Sequence, residues 1–590
     1  MLVARIIACY MTYTYRRKVG DRVYLEERES YRQKGKVQSR FVRYLGIEGD
    51  QRGKPESLLD RVRPSGSSRA GDVGLLWALA RDLRIPQTID ESCPHRSREG
   101  EASPGILLTV WAINRVVHPE SATQLERWTP TTDLPRLTGT PPEAFTKDAF
   151  LFALDKVCGE DPGTARLVDR TDLLEEKLYH HWRSTHPLPP GVRETLAYDL
   201  TSVLFFGVTC PLAELGYNAK DVEDQLQVNL GLLVNRADTM PVAHALFEGS
   251  RHGVATVRNM LARLSRRPLA PGEKESRGTL IWDRGMVSKD HVEAVEEMRW
   301  QLICGLPKTL NAVQEVLDEV EVPWRPETLV RRTKVTTIYA VETERELYGK
   351  RRRLVVYMNM ARAQKDRDER NEALATLTEE LEKLSKEGAK WSEAKLHARI
   401  REIVGRHAEY VEVRVQRKEK GQGPRVVWSY HQHALRAAER RDGKFVLLVT
   451  DPGVSAKEGV NAYLEKDFIE KGFRTMKTDE EMEPVRHRRE RRVRAYEFML
   501  VLALRLRAAL RWALKDEASK VGVNAWEYEE DLLKGLGRVE RAEVTLGAEH
   551  RVWYLNLLKQ IRDPLRKIGH GDLFAEKPRP ALSAVRSSDV

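Results

Sequence analysis

The sequence predicts an α/β protein with appended modules, and three observations carry that prediction. Short apolar runs that read as buried strands stand at 194–207, 228–235, 240–249, 279–282 and 444–451. Helical patterns, with apolar residues three and four apart, lie between and after them, as at 254–264. The flanks differ from this middle: residues 1–65 alternate like a small β-rich module, whereas 73–190 has a helical pattern broken by Pro-rich turns.

Composition bounds the function. With 590 residues and 41% hydrophobic side chains the chain can form several domains with real cores, which excludes a disordered protein. Lys and Arg number 99 against 88 Asp and Glu; the formal net charge of +11 favours a polyanionic partner without naming it. Cys9, Cys93, Cys158, Cys210 and Cys304 stand singly, with no C-x-x-C pair. That spacing suggests neither a disulfide framework nor a zinc site, and it fits a reducing, cytoplasmic location. The opening MLVARIIACYMTYTYRRK puts its positive cluster after the apolar run, the reverse of a signal peptide. The longest apolar stretch, 498–514, contains Arg505, Arg507 and Arg511, so it reads as a core-facing helix rather than a membrane span.

In chain order, VYLEERESYRQ and VQSRFVRYLG are expected to form a hairpin about Lys34-Gly35-Lys36. Its Arg28, Arg32, Lys34, Lys36, Arg40 and Arg43 suit either contact with a phosphate backbone or a solvated sheet face. PSGSSRAGD at 64–72 marks a boundary. The helical region after it contains His180 and His181, whose adjacency sends them to different sides of a helix; they are read as structural. In ETLAYDLTSVLFFG an acid, Asp199, lies inside a mostly buried strand, a costly placement unless it is paired or binds a metal. Asp283 follows the short strand 279–282, at the kind of strand end where open α/β sheets bind ligands and where helix caps and turn formers also sit.

Within 311–440, Leu374, Leu377, Leu381 and Leu384, then Leu396, Ile400 and Ile403, keep a helical rhythm either side of Lys386-Glu387-Gly388, which reads as a charged helical hairpin. VEVRV and VVWSY look like strands flanking GQGP. After Lys515 a basic tail with Trp526 and Trp553 is expected, ending in a disordered KPRPALSAVRSSDV.

The remaining stretch, NAYLEKDFIEKGFRTMK at 461–477, concentrates the charge. As one continuous helix it places Tyr463, Lys466, Glu470, Arg474 and Lys477 on a single face, beside a buried stripe of Ile469, Phe473 and Met476. Taken alone this is also the pattern of a solvated surface helix. Taken with Asp199 and Asp283, it completes an Asp, Asp, Glu series of hard oxygen ligands suited to two Mg²⁺ ions and hence to phosphodiester chemistry.

These motifs, in this order, resemble the DDE transposases of bacterial insertion sequences. The likeness runs from ESYRQKGKVQSRFVRYLG through AYDLTSVLFF, LFEGSRHGVAT, LIWDRGM and DGKFVLLVTD to YLEKDFIEKGFRTMK. The most similar branch has the signature Y-x2-R-x3-E-x6-K; Tyr463, Glu470 and Lys477 fall in register, and Lys466 replaces the arginine with a point charge that lacks its two-pronged grip. The resemblance implies an RNase H-like core, a mixed five-stranded sheet flanked by helices. Asp199 would lie on its first strand, Asp283 after its fourth, and Glu470 on a later helix.

It further implies a division into a basic β-rich module (1–65), a helical DNA-binding domain (73–190), a core in two parts (191–310 and 441–515) around an insertion (311–440), and a C-terminal helical region and tail (516–590). Asp199, Asp283 and Glu470 would be the catalytic residues and hold two Mg²⁺ or Mn²⁺ ions, with Tyr463, Lys466, Arg474 and Lys477 on DNA. The partners would be double-stranded DNA, as the element's terminal inverted repeats and the target, and a second copy of the chain in a homodimeric DNA complex, with no membrane. The implied reaction is cleavage at the element's ends and transfer of the 3′-OH into target DNA. A nuclease without strand transfer shares most of these features, and a non-catalytic DNA-binding repressor shares fewer, since it has no need of three acids that repel phosphate. The insertion could touch DNA ends or a second protomer, or be structural only.

Overall fold

Alternating side chains at the N-terminus produce an antiparallel meander of Met11–Val19, Arg22–Gln33 and Lys36–Ile47. The computed structural model describes residues 11–33, 36–48, 62–96, 98–160, 164, 166–190, 192–207, 209–216, 224–251, 253–265, 278–416, 424–546 and 549–575. The Lys34-Gly35 apex, the first three residues of GQGP and the tail 577–590 lie outside the described residues. The chain divides into two units, Met1–Ser67 with Ala542–Trp553, and Ser68–Arg541 with Tyr554–Val590.

In the first unit the meander's cations are matched from within. Arg28 donates to Glu26 at 3.1 Å, Arg40 to Glu29 at 2.7 Å and Arg43 to Glu27 at 2.6 Å. These pairs lie largely on the surface, and the side chains of Arg32, Lys34 and Lys36 lie outside the described residues. The Gly-Ser-rich stretch expected to be a boundary contains the division between the two units, after Ser67, and is also part of a strand, Val62–Arg69, in a sheet with Glu540–Leu546 and Glu549–Leu555. Its ladder partner imposes the extended form that its own residues do not favour. The C-terminal segment holds, besides its helices Ala525–Leu536 and Lys559–Lys567, those two strands, which were not expected.

The second unit is built on one mixed sheet. Its strands, along the chain, are β1 (Thr195–Leu204), β2 (Gln227–Asn235), β3 (Pro241–Glu248), β4 (Gly278–Trp282), β5 (Trp300–Gly305), β6 (Leu329–Arg332), β7 (Thr337–Leu347), β8 (Lys350–Asn359) and β9 (Lys444–Val449). Their spatial order is β3-β2-β1-β4-β5-β9-β8-β7-β6. β4 is parallel to β1 and to β5, and the other pairings are antiparallel. The sheet has nine strands where five were expected, because residues 329–359 extend it through β9. β7 and β8 are obscured in the sequence because charged residues continue their apolar runs: Arg353 pairs with Glu342, and Arg351 with Glu344, across β8 and β7. Met360–Glu387 and Glu393–Val404 then form the helical hairpin, with a separate apolar core of Leu377, Leu381, Leu384, Leu396 and Ile400 shared with the strands Val411–Gln416 and Arg425–Tyr430.

Four helices position the site: α1 (Gly253–Ser265), α2 (Ala456–Leu464), α3 (Asp467–Arg474) and α4 (Glu490–Lys520). α4 contains the apolar 498–514 stretch and is buried along most of its length, packing on β3 and on helices Pro104–Val117 and Lys147–Val157 of the helical region. Its arginines are tied inside this core: Arg507 and Arg511 donate to Glu529 at 3.0 and 2.8 Å, and Arg505 donates to the Val242 carbonyl at 3.2 Å. Among the described residues no helix is long and apolar enough to cross a membrane. Cys93, Cys158, Cys210 and Cys304 are buried and free.

Candidate active site

Strand alternation on β1 sends successive side chains to opposite faces. Tyr198 points to α1, where its hydroxyl meets Thr256 Oγ1 at 3.0 Å, and Gly231 on β2 leaves room for it, since a Cβ there would stand 2.4 Å from that hydroxyl. Asp199 therefore faces the other way, towards α3. β4 runs parallel to β1 with Leu280 opposite Leu196 and Ile281 opposite Ala197. Continuing that register by two residues brings Asp283 level with Asp199, on neighbouring strands about 5 Å apart.

Asp283 is held by the segment that follows β9. Its Oδ1 accepts from the Tyr463 hydroxyl at 2.6 Å and from the Arg284 N–H at 2.8 Å, and its Oδ2 lies 3.2 Å from Lys466 Nζ. Gly305, at the end of β5, makes this possible: a Cβ there would come within 2.6 Å of the Tyr463 hydroxyl. Lys466 also sits over the Tyr463 ring, 5.0 Å from its centroid. Tyr463 and Lys466 thus bear on an acid in this state, not on an open surface.

The continuous helix expected over 461–477 is broken. α2 ends at Leu464, α3 begins at Asp467, and Thr475–Asp479 widens into a π-helical turn. No Gly or Pro marks the first break; there, Glu465 is paired with Arg236 and Lys466 with Asp283. The interruption distributes the five residues of the face. Tyr463 and Lys466 address Asp283, while Glu470, Arg474 and Lys477 line a cavity of about 490 Å³ together with Asp199. Phe473 and Ile469 are buried and anchor α3. Lys477 donates to the Ser202 carbonyl of β1 at 2.5 Å and lies 3.4 Å from Glu483.

Electrostatics separate the carboxyls. Burial, with added repulsion from Asp283 and Glu470, pushes the Asp199 carboxyl up to about 6, although the Leu200 N–H and Lys466 favour its ionised form. Burial alone would raise Asp283 too, but the Tyr463 hydroxyl, Lys466 and the Arg284 N–H outweigh it and hold the group below the ordinary carboxylate value. Among the described residues no three His, Cys, Asp or Glu side chains are grouped as metal ligands, and Asp283 does not line the cavity that Asp199 and Glu470 share. The donor chemistry nevertheless fits a divalent cation. All three groups are hard oxygens, and Asp199 is repelled by the other two, which a cation would relieve.

A further cluster escaped the sequence reading. RHRRERRVR, 486–494, carries six arginines in nine residues directly after this site. Their density was itself a readable signal.

No family model matches the sequence, and no curated protein matches it. Among solved structures the chain is similar to the piggyBac transposase in its synaptic complex with hairpin DNA, with a TM-score of 0.35 and 11% identity over 79% of this chain and 80% of that one.

Proposed function

We propose that the chain is a DNA transposase of the DDE type, whose core is the RNase H-like arrangement formed by β1 to β5. The observation that supports this reading is that Asp199, on β1, shares a cavity with Glu470 of α3 and is repelled by both Glu470 and Asp283, the latter following the strand parallel to β1. Asp199, Asp283 and Glu470 would hold two Mg²⁺ or Mn²⁺ ions, which supply Lewis acidity to the attacking hydroxyl and to the departing oxygen of a phosphodiester.

The chain's own residues do the rest. Tyr463 fixes the Asp283 carboxylate through a 2.6 Å hydrogen bond and so sets the orientation of its oxygens. Lys466 neutralises Asp283, and its ammonium would be available to a phosphate oxygen if Asp283 held a metal ion instead. Arg474 is exposed on the cavity wall and suits a phosphate next to the cut, while Lys477, braced on β1, adds positive field without a long reach. The reaction is hydrolysis at the element's end to release a 3′-OH, then attack by that hydroxyl on target DNA, in a homodimeric complex on terminal inverted repeats.

Strand transfer is the discriminating test. Purified protein is incubated in Mg²⁺ with labelled duplexes made from the DNA flanking the reading frame, pre-cut to expose a 3′-OH, and a supercoiled target plasmid. Covalent joining of label to plasmid is expected. Cutting without joining would reduce the protein to a nuclease, and binding with neither would make it a repressor.

A further inference from the structure

The arginines of 486–494 fall into two sets. Arg491, Arg492 and Arg494 are bound within the fold, to Glu160 at 2.7 Å, Asp155 at 2.7 Å and Glu490 at 2.8 Å respectively. Arg486, Arg488 and Arg489 are exposed, and no side-chain hydrogen bond or ion pair ties them to any described residue. Their backbone, by contrast, is firmly placed. Val485 donates to the Leu204 carbonyl at 3.2 Å and accepts from the Phe206 N–H at 2.9 Å, so the segment runs beside the end of β1, the strand that carries Asp199. His487, between the free arginines, has its ring 4.9 Å from that of Tyr496 and 6.3 Å from that of Trp111, and burial keeps it neutral. A rigid backbone bearing three unmatched guanidinium groups is preorganised for an anion.

These arginines line a groove of about 740 Å³ that also takes in Lys147. Glu483 lines both this groove and the cavity of Asp199 and Glu470, so the two adjoin. We infer that the groove is the path of a DNA backbone leading away from the carboxylate cavity, with Arg486, Arg488 and Arg489 gripping phosphates that flank the bond to be cut. The inference rests on the proposed function for what occupies the cavity itself. Guanidinium forks match phosphate oxygens in pairs, and the attraction offsets the repulsion that three nearby carboxylates exert on a polyanion.

The test is a binding measurement on the full chain in EDTA, where no cutting occurs. Fluorescence anisotropy of a labelled duplex is followed across a KCl series for the wild type, R486Q/R488Q/R489Q, R486K/R488K/R489K, and a control, K515Q/K520Q/K534Q, which removes the same charge from the far end of α4 and the helix beyond it. The glutamine variant is expected to bind at least about tenfold more weakly at moderate salt, with a log Kd against log salt slope shallower by about 2 to 3, one increment for each lost phosphate contact. The lysine variant should recover most of the slope, and the control should keep the wild-type slope. An unchanged slope in the glutamine variant overturns the inference, as does an equal change in the control or no recovery with lysine. A wild type that binds in this manner but never cuts DNA in Mg²⁺ would remove the transposase reading and leave the backbone track standing.

Discussion

Two regions of this chain bury charge, and they do so in opposite ways. Under α4, Glu529 receives Arg507 at 3.0 Å and Arg511 at 2.8 Å, and Arg511 also lies over Trp526, 3.6 Å from the ring centroid. Near the N-terminal half of the same helix, Glu175 pairs with His244 at 2.8 Å; burial would raise its carboxyl, yet His244, Arg505 and Arg263 outweigh that and hold it low. At the cavity beside β1 the balance reverses. Asp199 has the Leu200 N–H as its hydrogen-bond donor, repulsion from two other acids, and a carboxyl raised to about 6. Glu529 and Glu175 are thus matched by cations inside the chain, whereas Asp199 is repelled by Asp283 and Glu470 and only partly balanced by Lys466.

The largest effect that sharpens this contrast is expected under α4. Glu529→Ala leaves Arg507 and Arg511 buried without their acid and should cost about 3–5 kcal/mol, read from urea unfolding. A loss below about 1 kcal/mol would mean the pairing is not structural. Next comes Tyr463→Phe, which removes the hydrogen bond that orients Asp283. Cleavage should fall about 10- to 100-fold with DNA affinity and melting temperature nearly unchanged; wild-type cleavage would show that Asp283 needs no such support.

The smallest effect has the opposite sign. Because the folded Asp199 carboxyl is raised from 3.8 to about 6, ionising it costs stability, and that cost grows as pH climbs from about 4 to 6. Asp199→Asn should therefore stabilise the protein by about 1–2 kcal/mol at pH 7 to 8 and by nothing at pH 4, allowing for partial exposure. Thermal melts at the two pH values test it, and destabilisation at pH 8 would contradict the strained-carboxylate account.

How much of this was legible in the sequence depends on what kind of signal each part leaves. The strands bearing Asp199 and preceding Asp283 announce themselves because they are apolar runs interrupted by one acid. The leucine rhythm at 374–403 marks its hairpin equally plainly. β7 and β8 are obscured because the apolar runs TIYAV and LVVYM are each continued by charged residues, ETERE and KRRR. The break between α2 and α3 leaves no trace, since Glu465 and Lys466 are good helix formers whose partners, Arg236 and Asp283, come from distant parts of the chain. The strand Val62–Arg69 is hidden for a similar reason: its partner lies at the other end of the sequence.

The central claim is that three acids act together on a phosphodiester with divalent metal, and plasmid nicking by the full-length protein tests it most directly. Supercoiled DNA is incubated with wild type, D199N, D283N and E470Q, each in Mg²⁺, Mn²⁺ or EDTA, with DNA binding measured alongside. The account predicts nicking by the wild type in either metal and none in EDTA. Each variant should cut at least about 1,000-fold more slowly while still binding DNA. Undiminished nicking by any of the three variants, or by the wild type in EDTA, would contradict it.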